Sequence, residues 1–258
     1  MKRSGDMDAS PVERAEKVER AGGYPARADE AMQLSQQVDK AMVTLTAPAS
    51  SAAEQYRTLF YRIERMREMR PMKVVSFTSA MPGEGKSVTA INLALSSAKA
   101  NPDRRILLID ADLRCSQVAE YLGVRSQPGL AELLAGKADI QDVVRRFRSS
   151  SLAVIPGGAP PPEPTQLLAS QQMKQLLKGL RDNFDEIYID LPPALPFADS
   201  PILAAQSDGV VVVIRAYVTS SQRVTQTLEQ LSGAPVIGCI LNGAEMTSVP
   251  YLKGYSGR

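Results

Sequence analysis

The chain has 258 residues, which is enough for one α/β domain with additional segments and a sizeable buried core. Its formal net charge is +2, so bulk charge indicates no nucleic-acid partner. Histidine is absent, which excludes histidine triads, histidine metal sites and a histidine general base. Carboxylates and metal-bound phosphate chemistry remain. Cys115 and Cys239 lack metal-ligand spacing and are expected to be reduced and buried.

The first 50 residues are polar and alternately charged, with little periodic apolar content, and they are predicted to form a flexible N-terminal arm. A helix is expected next, because Ser51 and Glu54 have the spacing of a capping box and apolar residues then recur at helical intervals. The folded domain is predicted over residues 51–246 and a flexible, tyrosine-bearing tail over residues 247–258. Because the longest apolar run, residues 210–214, is too short to cross a bilayer, no membrane span is expected; the basic start also lacks the apolar core of a signal peptide.

From residue 73 onward, strand-like and helix-like segments alternate. The predicted strands are residues 73–78, 105–110, 152–156, 186–190, 209–215 and 235–242. The predicted helices are residues 86–99, part of 127–135, 165–183, 198–206 and 220–232. The strand segments are continuous apolar runs, which are typical of strands covered by helices on both faces. The pattern predicts an α/β fold with a doubly wound, mainly parallel sheet that binds ligands at the carboxyl ends of its strands.

A phosphate-binding loop is predicted after the first of these strands, where residues 79–89 have the sequence SAMPGEGKSVT. In this strand–loop–helix context, backbone N–H groups and a helix N-terminus point toward a polyphosphate. Lys86 would reach the β- and γ-phosphates, and the Ser87 hydroxyl would enter the Mg²⁺ shell. The loop departs from the usual pattern at its first glycine, which is Ala80 here. The predicted nucleotide-binding residues of the loop are Pro82, Gly83, Glu84, Gly85, Lys86, Ser87 and Val88.

Carboxylates follow two further strands. Asp110 and Asp112 lie in the segment LLIDADLR, and Asp190 lies in EIYIDLPP at the position of a Walker B aspartate. For each carboxylate group alone, a solvated loop or a helix N-cap is the commoner explanation. Three such features in order, each at a strand end, favour an ATP site in which the carboxylates hold Mg²⁺ or orient the nucleophile.

Three segments together, PGEGKS at 82–87, LLIDADLR at 107–114 and IDLPP at 189–193, resemble the bacterial protein-tyrosine kinases. More narrowly, they resemble the cytoplasmic autokinases that regulate capsule and exopolysaccharide synthesis and export. The likeness extends by motif order from residue 51 to residue 243. The Asp-x-Asp-x-Arg string is its most specific element, since a phosphate loop alone indicates only an NTPase.

The resemblance implies a P-loop NTPase fold and a domain that transfers the γ-phosphoryl group of MgATP to tyrosine. It implies that Lys86 and Ser87 hold phosphates and Mg²⁺ and that Asp112 and Asp190 help to hold the metal. Asp110 would be the base for a tyrosine hydroxyl, or would orient it. These functions rely on positioning and charge neutralisation more than on covalent chemistry.

By the same resemblance, Asn242 matches the position at which relatives contact adenine. The acceptors would be the tail tyrosines Tyr251 and Tyr255, phosphorylated by a neighbouring copy in a ring. Relatives carry a denser tyrosine cluster, so an ordinary polar tail remains an alternative. The other candidate acceptors are Tyr24, Tyr56 and Tyr61.

The resemblance also implies partners. Because the chain has no expected membrane span, a separate transmembrane polysaccharide chain-length regulator would dock on it, activate it and recruit it from the cytoplasm to the inner membrane. A cognate tyrosine phosphatase would reverse the reaction. Ring assembly in the family uses a Glu-x-x-Arg-x-x-Arg helix, and here Glu54 and Arg57 are followed by Phe60 instead of the second arginine, so a homo-oligomer would be weaker or differently built.

Two other functions remain open. A partition or septum-site ATPase shares the fold, but it carries a signature lysine where this chain has Met81, and it continues Asp-x-Asp with proline where this chain has Leu113. A non-catalytic ATP-binding adaptor of the export machinery would also explain Ala80, Phe60 and the sparse tail. A further departure from the kinases is Cys115-Ser116, where an Arg-Pro pair is expected.

Overall fold

The computed structural model describes residues 38–148 and 150–244. The predicted acceptors Tyr251 and Tyr255, the alternative acceptor Tyr24 and the predicted tail lie outside the described residues. Among the residues described, no helix is both long enough and apolar enough to cross a bilayer.

The described residues contain a seven-stranded sheet with the strand order β3-β4-β2-β5-β1-β6-β7. The strands are β1 (Val74–Ser79), β2 (Ile106–Asp110), β3 (Arg145–Arg146), β4 (Leu152–Ile155), β5 (Glu186–Asp190), β6 (Gly209–Arg215) and β7 (Val236–Asn242). Neighbouring strands are parallel except for β3 and β4, which are antiparallel. The predicted α/β fold with a mainly parallel sheet is therefore confirmed.

Helices precede the first strand and lie in the connections between the strands. They are α1 (Val43–Thr46), α2 (Ser51–Met69), α3 (Lys86–Ala100), α4 (Val118–Leu122), α5 (Leu130–Leu134), α6 (Ile140–Val143), α7 (Pro164–Ala169), α8 (Gln171–Asn183), α9 (Asp199–Ala204) and α10 (Ser221–Gln230). Parallel strands need such crossovers, and the crossovers bring the carboxyl ends of β1, β2 and β5 to one edge of the sheet.

Two apolar cores lie on the two faces of the sheet. Leu107 and Ile109 belong to one core, and Ile106 and Leu108 to the other, because successive side chains of a strand point to opposite faces. All four are fully buried. This arrangement explains why the strand segments are continuously apolar instead of alternating.

Some element boundaries differ from the sequence-based prediction. The single helix expected over residues 165–183 is divided at Ser170, which ends α7 and whose hydroxyl accepts a hydrogen bond from the backbone N–H of Met173 at the start of α8. Likewise, the N-cap of α2 is Ser50 and not Ser51, since Ser50 Oγ accepts from Ala53 N.

Residues 38–50, which the sequence assigns to the arm, pack against the domain. Met42 is fully buried in the core that α3 also lines. The Asn92 side chain of α3 accepts from Thr44 N at 3.0 Å and donates to Ala41 O at 2.9 Å. The first 50 residues are polar as a whole, and one buried methionine and an amide from a distant helix give no periodic signal in the sequence.

The burial of Phe60 and of the two cysteines bears on the sequence-based predictions. Phe60, the departure from the assembly motif, is 2% exposed and packs in the core, while Glu54 and Arg57 form an ion pair on the outer side of α2. Cys115 and Cys239 are both exposed, so the expectation that they would be buried is wrong.

Candidate active site

The phosphate loop begins where the fully buried strand β1 ends. Gly83 and Gly85 have φ values of +80° and +92°, a region that favours glycine. A Cβ atom at Gly85 would clash with the side-chain nitrogen of Asn242, so a larger residue there would be strained and would displace that side chain. Gly85 also forms the N-cap of α3, which places the helix N-terminus under the loop.

The substitution at the first loop glycine leaves this geometry intact. Ala80 is 1% exposed, and the only non-glycine residue of the described ranges with a positive φ is Tyr217. Ala80 therefore has a backbone conformation that any residue can adopt, and its methyl group is buried. The departure does not argue against a phosphate-binding loop.

Lys86 lies at the centre of the predicted site. Its Nζ is 2.9 Å from Asp112 Oδ2 and 3.3 Å from Asp190 Oδ1, and it donates to Ser87 Oγ at 3.1 Å. These groups come from the start of α3 and from the ends of β2 and β5. The structure thus brings together the lysine, the serine and two of the three carboxylates selected from the sequence.

Burial and charge shift the ionisation of this cluster. Burial disfavours the Lys86 ammonium, but the neighbouring charges of Asp190 and Asp112 outweigh it and raise the pKa of Lys86. Burial also raises the pKa of Asp190, and the Lys86 charge offsets only part of that increase. The lysine therefore stays charged, next to a carboxylate whose ionised form is poorly stabilised.

Asp110 is oriented by its own loop. Its Oδ2 accepts from Ser116 Oγ at 2.7 Å and from Val118 N at 3.1 Å, and its Oδ1 accepts from Asp112 N at 3.2 Å. Burial, followed by the charge of Asp190, raises the pKa of Asp110 to about 7. Of the three predicted carboxylates, it forms no direct contact with Lys86 among the described residues.

The oxygen donors suit a magnesium ion. The Ser87 hydroxyl and the carboxylates of Asp112 and Asp190 are hard ligands of the kind that Mg²⁺ prefers. Among the described residues, no group of three or more His, Cys, Asp or Glu side chains is arranged to hold a metal ion. Two carboxylates and one hydroxyl match the protein ligands of a Mg²⁺ ion that completes its coordination with nucleotide phosphates.

The remaining predicted nucleotide contact, Asn242, lies beside the loop at the end of β7. Its Nδ2 donates to the backbone oxygen of Glu84 at 2.9 Å. Thr219, which no motif indicated, donates from Oγ1 to the Glu84 carboxylate at 2.5 Å.

Arg114, the arginine of the Asp-x-Asp-x-Arg string, was not assigned a function from the sequence. Its Nε donates to Asp199 Oδ2 at 2.7 Å, and its guanidinium lies 4.3 Å from the centre of the Phe197 ring. Its Nη2 donates to Thr165 Oγ1 at 2.9 Å. These contacts join the loop after β2 to α7 and α9, so Arg114 stabilises one wall of the site.

Comparison with known proteins agrees with this geometry. The AAA domain family matches residues 72–234. Tyrosine-protein kinase YwqD of Bacillus subtilis is 36% identical over 208 residues, which cover 80% of this chain and 87% of that protein. Tyrosine-protein kinase Etk of Escherichia coli K12 is 31% identical over 198 residues, which cover 76% of this chain but only 27% of Etk.

Solved structures give the same result. The kinase domain of Etk has a TM-score of 0.75 and 28% identity, with 90% of this chain and 89% of that domain covered. The septum-site-determining protein MinD of Pyrococcus horikoshii, complexed with Mg-ADP, has a TM-score of 0.53 and 24% identity, which is a likeness of fold only. The resemblance seen in the motifs is thereby confirmed, and the chain belongs to the bacterial tyrosine-protein kinases.

Proposed function

We propose that this kinase is an autokinase, which transfers the γ-phosphoryl group of MgATP to tyrosines of a second copy of itself. The observation that carries the proposal is the contact of Lys86 with Ser87, Asp112 and Asp190 directly beneath the phosphate loop. A buried ammonium beside a helix N-terminus binds the transferring phosphoryl group electrostatically. Phosphoryl transfer depends chiefly on such positioning and charge stabilisation.

Each group of the site has a distinct proposed contribution. Lys86 and the loop N–H groups would bind and orient the phosphates. Ser87, Asp112 and Asp190 would hold Mg²⁺, which when bound neutralises charge on the phosphate oxygens. The Asn242 amide, fixed by its donation to Glu84 O, would present its oxygen to the adenine amine.

Asp110 is the proposed base for the acceptor tyrosine, or the group that orients it. A carboxylate whose pKa is raised to about 7 is matched to proton transfer near neutral pH. Its oxygens already accept three hydrogen bonds, so the tyrosine hydroxyl would have to replace one of them. The Ser116 hydroxyl is the one that side-chain rotation can release, and Gly157 leaves space next to it, since a Cβ there would lie 2.7 Å from Ser116 Oγ.

The acceptors are proposed to be Tyr251 and Tyr255, reached in trans. Of the alternatives within the described residues, Tyr61 is 61% exposed, while Tyr56 is half-buried on α2. Assembly would rest on the outer face of α2, where Glu54 and Arg57 pair. Because Phe60 points into the core, we infer that the contacts between copies differ from those of a Glu-x-x-Arg-x-x-Arg helix.

The proposed setting is the control of capsule or exopolysaccharide synthesis and export. A separate transmembrane chain-length regulator would bind the kinase, activate it and hold it at the inner membrane. A cognate tyrosine phosphatase would complete the cycle.

The test is intact and tandem mass spectrometry of the protein after incubation with MgATP. We expect phosphotyrosine at Tyr251 or Tyr255, none in Lys86→Met, and loss of most of the signal in the double variant Tyr251→Phe/Tyr255→Phe. Phosphate that persists in the double variant would move the acceptor sites elsewhere. Nucleotide binding without phosphotyrosine, even with the cytoplasmic tail of the regulator added, would favour the non-catalytic adaptor.

A further inference from the structure

We propose that Glu84 and Thr219 are positioning residues that hold the phosphate loop in its nucleotide-binding shape. The hydrogen bonds that the Glu84 carboxylate forms with Ala80 N and Thr219 Oγ1 are called the Glu84 bridge below. The inference rests on the proposed use of ATP at this loop, and it gives a role to Thr219, which lies outside every motif of the sequence.

The first half of the bridge closes the loop on itself. Glu84 is 3% exposed, although it lies in a loop that would face a polyanion. Its Oε2 accepts the backbone N–H of Ala80 at 2.9 Å. The carboxylate thus turns inward and joins the first and the fifth residues of the loop, Ala80 and Glu84, instead of extending into solvent.

The second half ties the loop to the sheet. Thr219 Oγ1 donates to Glu84 Oε1 at 2.5 Å and accepts from Arg215 N, the last residue of β6, at 3.0 Å. Thr219 directly precedes Ser220, the N-cap of α10, so its backbone is fixed by the start of that helix. The hydroxyl is therefore held at both its donor and its acceptor side.

A parallel contact acts on the main chain of the same residue. Asn242, at the end of β7, donates to Glu84 O at 2.9 Å and packs against Gly85. Glu84 is thus held through its side chain by the end of β6 and through its backbone by the end of β7. Both attachments lie on the side of the site proposed for adenine.

The charge of Glu84 makes the geometric role testable. A carboxylate close to bound phosphates opposes nucleotide binding by repulsion, so a purely electrostatic effect predicts tighter binding when the charge is removed. A positioning role predicts the reverse for Glu84→Ala, which removes the bridge. Glu84→Gln keeps it, because the amide oxygen can accept from Ala80 N and the amide nitrogen can donate to Thr219 Oγ1.

The experiment is calorimetric titration of the full chain with MgADP, together with steady-state kinetics in ATP. We expect Thr219→Val to weaken MgADP binding about tenfold, because a buried carboxylate oxygen loses its donor. The KM for ATP should rise in proportion while kcat changes less, since the Lys86 cluster is untouched. Thr219→Ser keeps the hydroxyl and should restore wild-type binding, and Thr225→Val, on the exposed side of α10, is the matched control.

Each outcome is decisive. Wild-type affinity in Thr219→Val, or tighter binding by Glu84→Ala, overturns the bridge while leaving the proposed function standing. A wild-type chain that binds no MgADP removes the proposed function and the bridge together. If Thr219→Val does not fold, as judged by circular dichroism, the comparison of Glu84→Ala with Glu84→Gln decides the matter.

Discussion

Strand β5 carries a buried carboxylate at each end, and the two lie in opposite surroundings. Glu186, at the amino end, is 1% exposed and accepts hydrogen bonds from Arg67, Arg104, Ser97 and Tyr188, at 2.6 to 2.8 Å. Burial by itself raises the pKa of Glu186, but the Arg67 charge and these donors outweigh it, so the pKa lies below its usual value.

Asp190, at the carboxyl end of the same strand, is fully buried, and its charge is stabilised less well than that of Glu186. Lys86 is its charged partner, at 3.3 Å, and the nearby Asp112 charge opposes its ionisation. Burial is the largest effect there, and the pKa of Asp190 is raised. The ionised form is thus stabilised at one end of β5 and destabilised at the other.

The difference separates fold from function along a single strand. At the amino edge the carboxylate is fully satisfied, as a group that stabilises the native state must be. At the carboxyl edge the charge is incompletely compensated by protein, which leaves it available to a ligand cation. Strongly perturbed carboxylates of this kind cluster at functional sites.

The largest expected effect comes from neutralising each end in turn. We expect Glu186→Gln to lower the free energy of unfolding by about 3 kcal/mol, because the largely buried Arg67 guanidinium loses one of its two carboxylate partners and keeps only Glu64. Asp190→Asn should change stability by less than about 1 kcal/mol, since it removes a charge that burial disfavours, yet it should abolish kinase activity. Urea unfolding followed by circular dichroism measures the first quantity, and phosphotyrosine formation the second. Equal losses of stability in the two variants would contradict the comparison.

The two ends also differ in how far the sequence predicts them. The site at the carboxyl edge is encoded in short consecutive segments, so Lys86, Asp112 and Asp190 could be identified, and parallel strands bring their ends together. The pairs Glu186–Arg67 and Glu84–Thr219 join residues 119 and 135 positions apart, and no local pattern marks them.

Single polar side chains explain the other differences between the structure and the sequence-based prediction. The helical pattern of residues 165–183 gives no sign that the Ser170 hydroxyl would cap a new helix and divide it. The packing of Met42 against the domain depends on Asn92 of α3, whose side-chain oxygen accepts a hydrogen bond from the backbone N–H of Thr44. Ser170 interrupts a periodic pattern that is otherwise correct, whereas Asn92 anchors a segment that has no periodic pattern of its own.

Acid should have opposite effects on the contributions of Glu186 and Asp190 to the free energy of unfolding, because the pKa of Glu186 is lowered and that of Asp190 is raised. Since the folded-state pKa of Glu186 is below the ordinary 4.5, the unfolded chain binds more protons in acid. The stability that Glu186 contributes is therefore fully present above the unfolded pKa and is lost as the pH falls through the folded one. Urea midpoints measured between about pH 3 and pH 6 should fall less steeply in Glu186→Gln than in wild type.

The matched control for this titration is Glu229→Gln, at an exposed glutamate of α10. Its profile should follow the wild-type profile. A wild-type slope in Glu186→Gln would show that other carboxylates produce the acid-dependent loss.

The smallest effect concerns the outer member of the Glu186 cluster. Arg104 Nη1 lies 2.6 Å from Glu64 Oε2 and 2.8 Å from Glu186 Oε1, but its side chain is 44% exposed, whereas that of Arg67 is 11% exposed. Solvent screens the Arg104 pairs, so Arg104→Gln should cost no more than about 1 kcal/mol of unfolding free energy. In double-mutant cycles with Glu186→Gln, the coupling energy of Arg104 should be smaller than that of Arg67. It should decrease further in about 0.5 M salt, where the Debye length is only a few ångströms. If the coupling energy of Arg104 were as large as that of Arg67, solvent exposure would not determine the strength of these ion pairs, and both arginines would stabilise Glu186 equally.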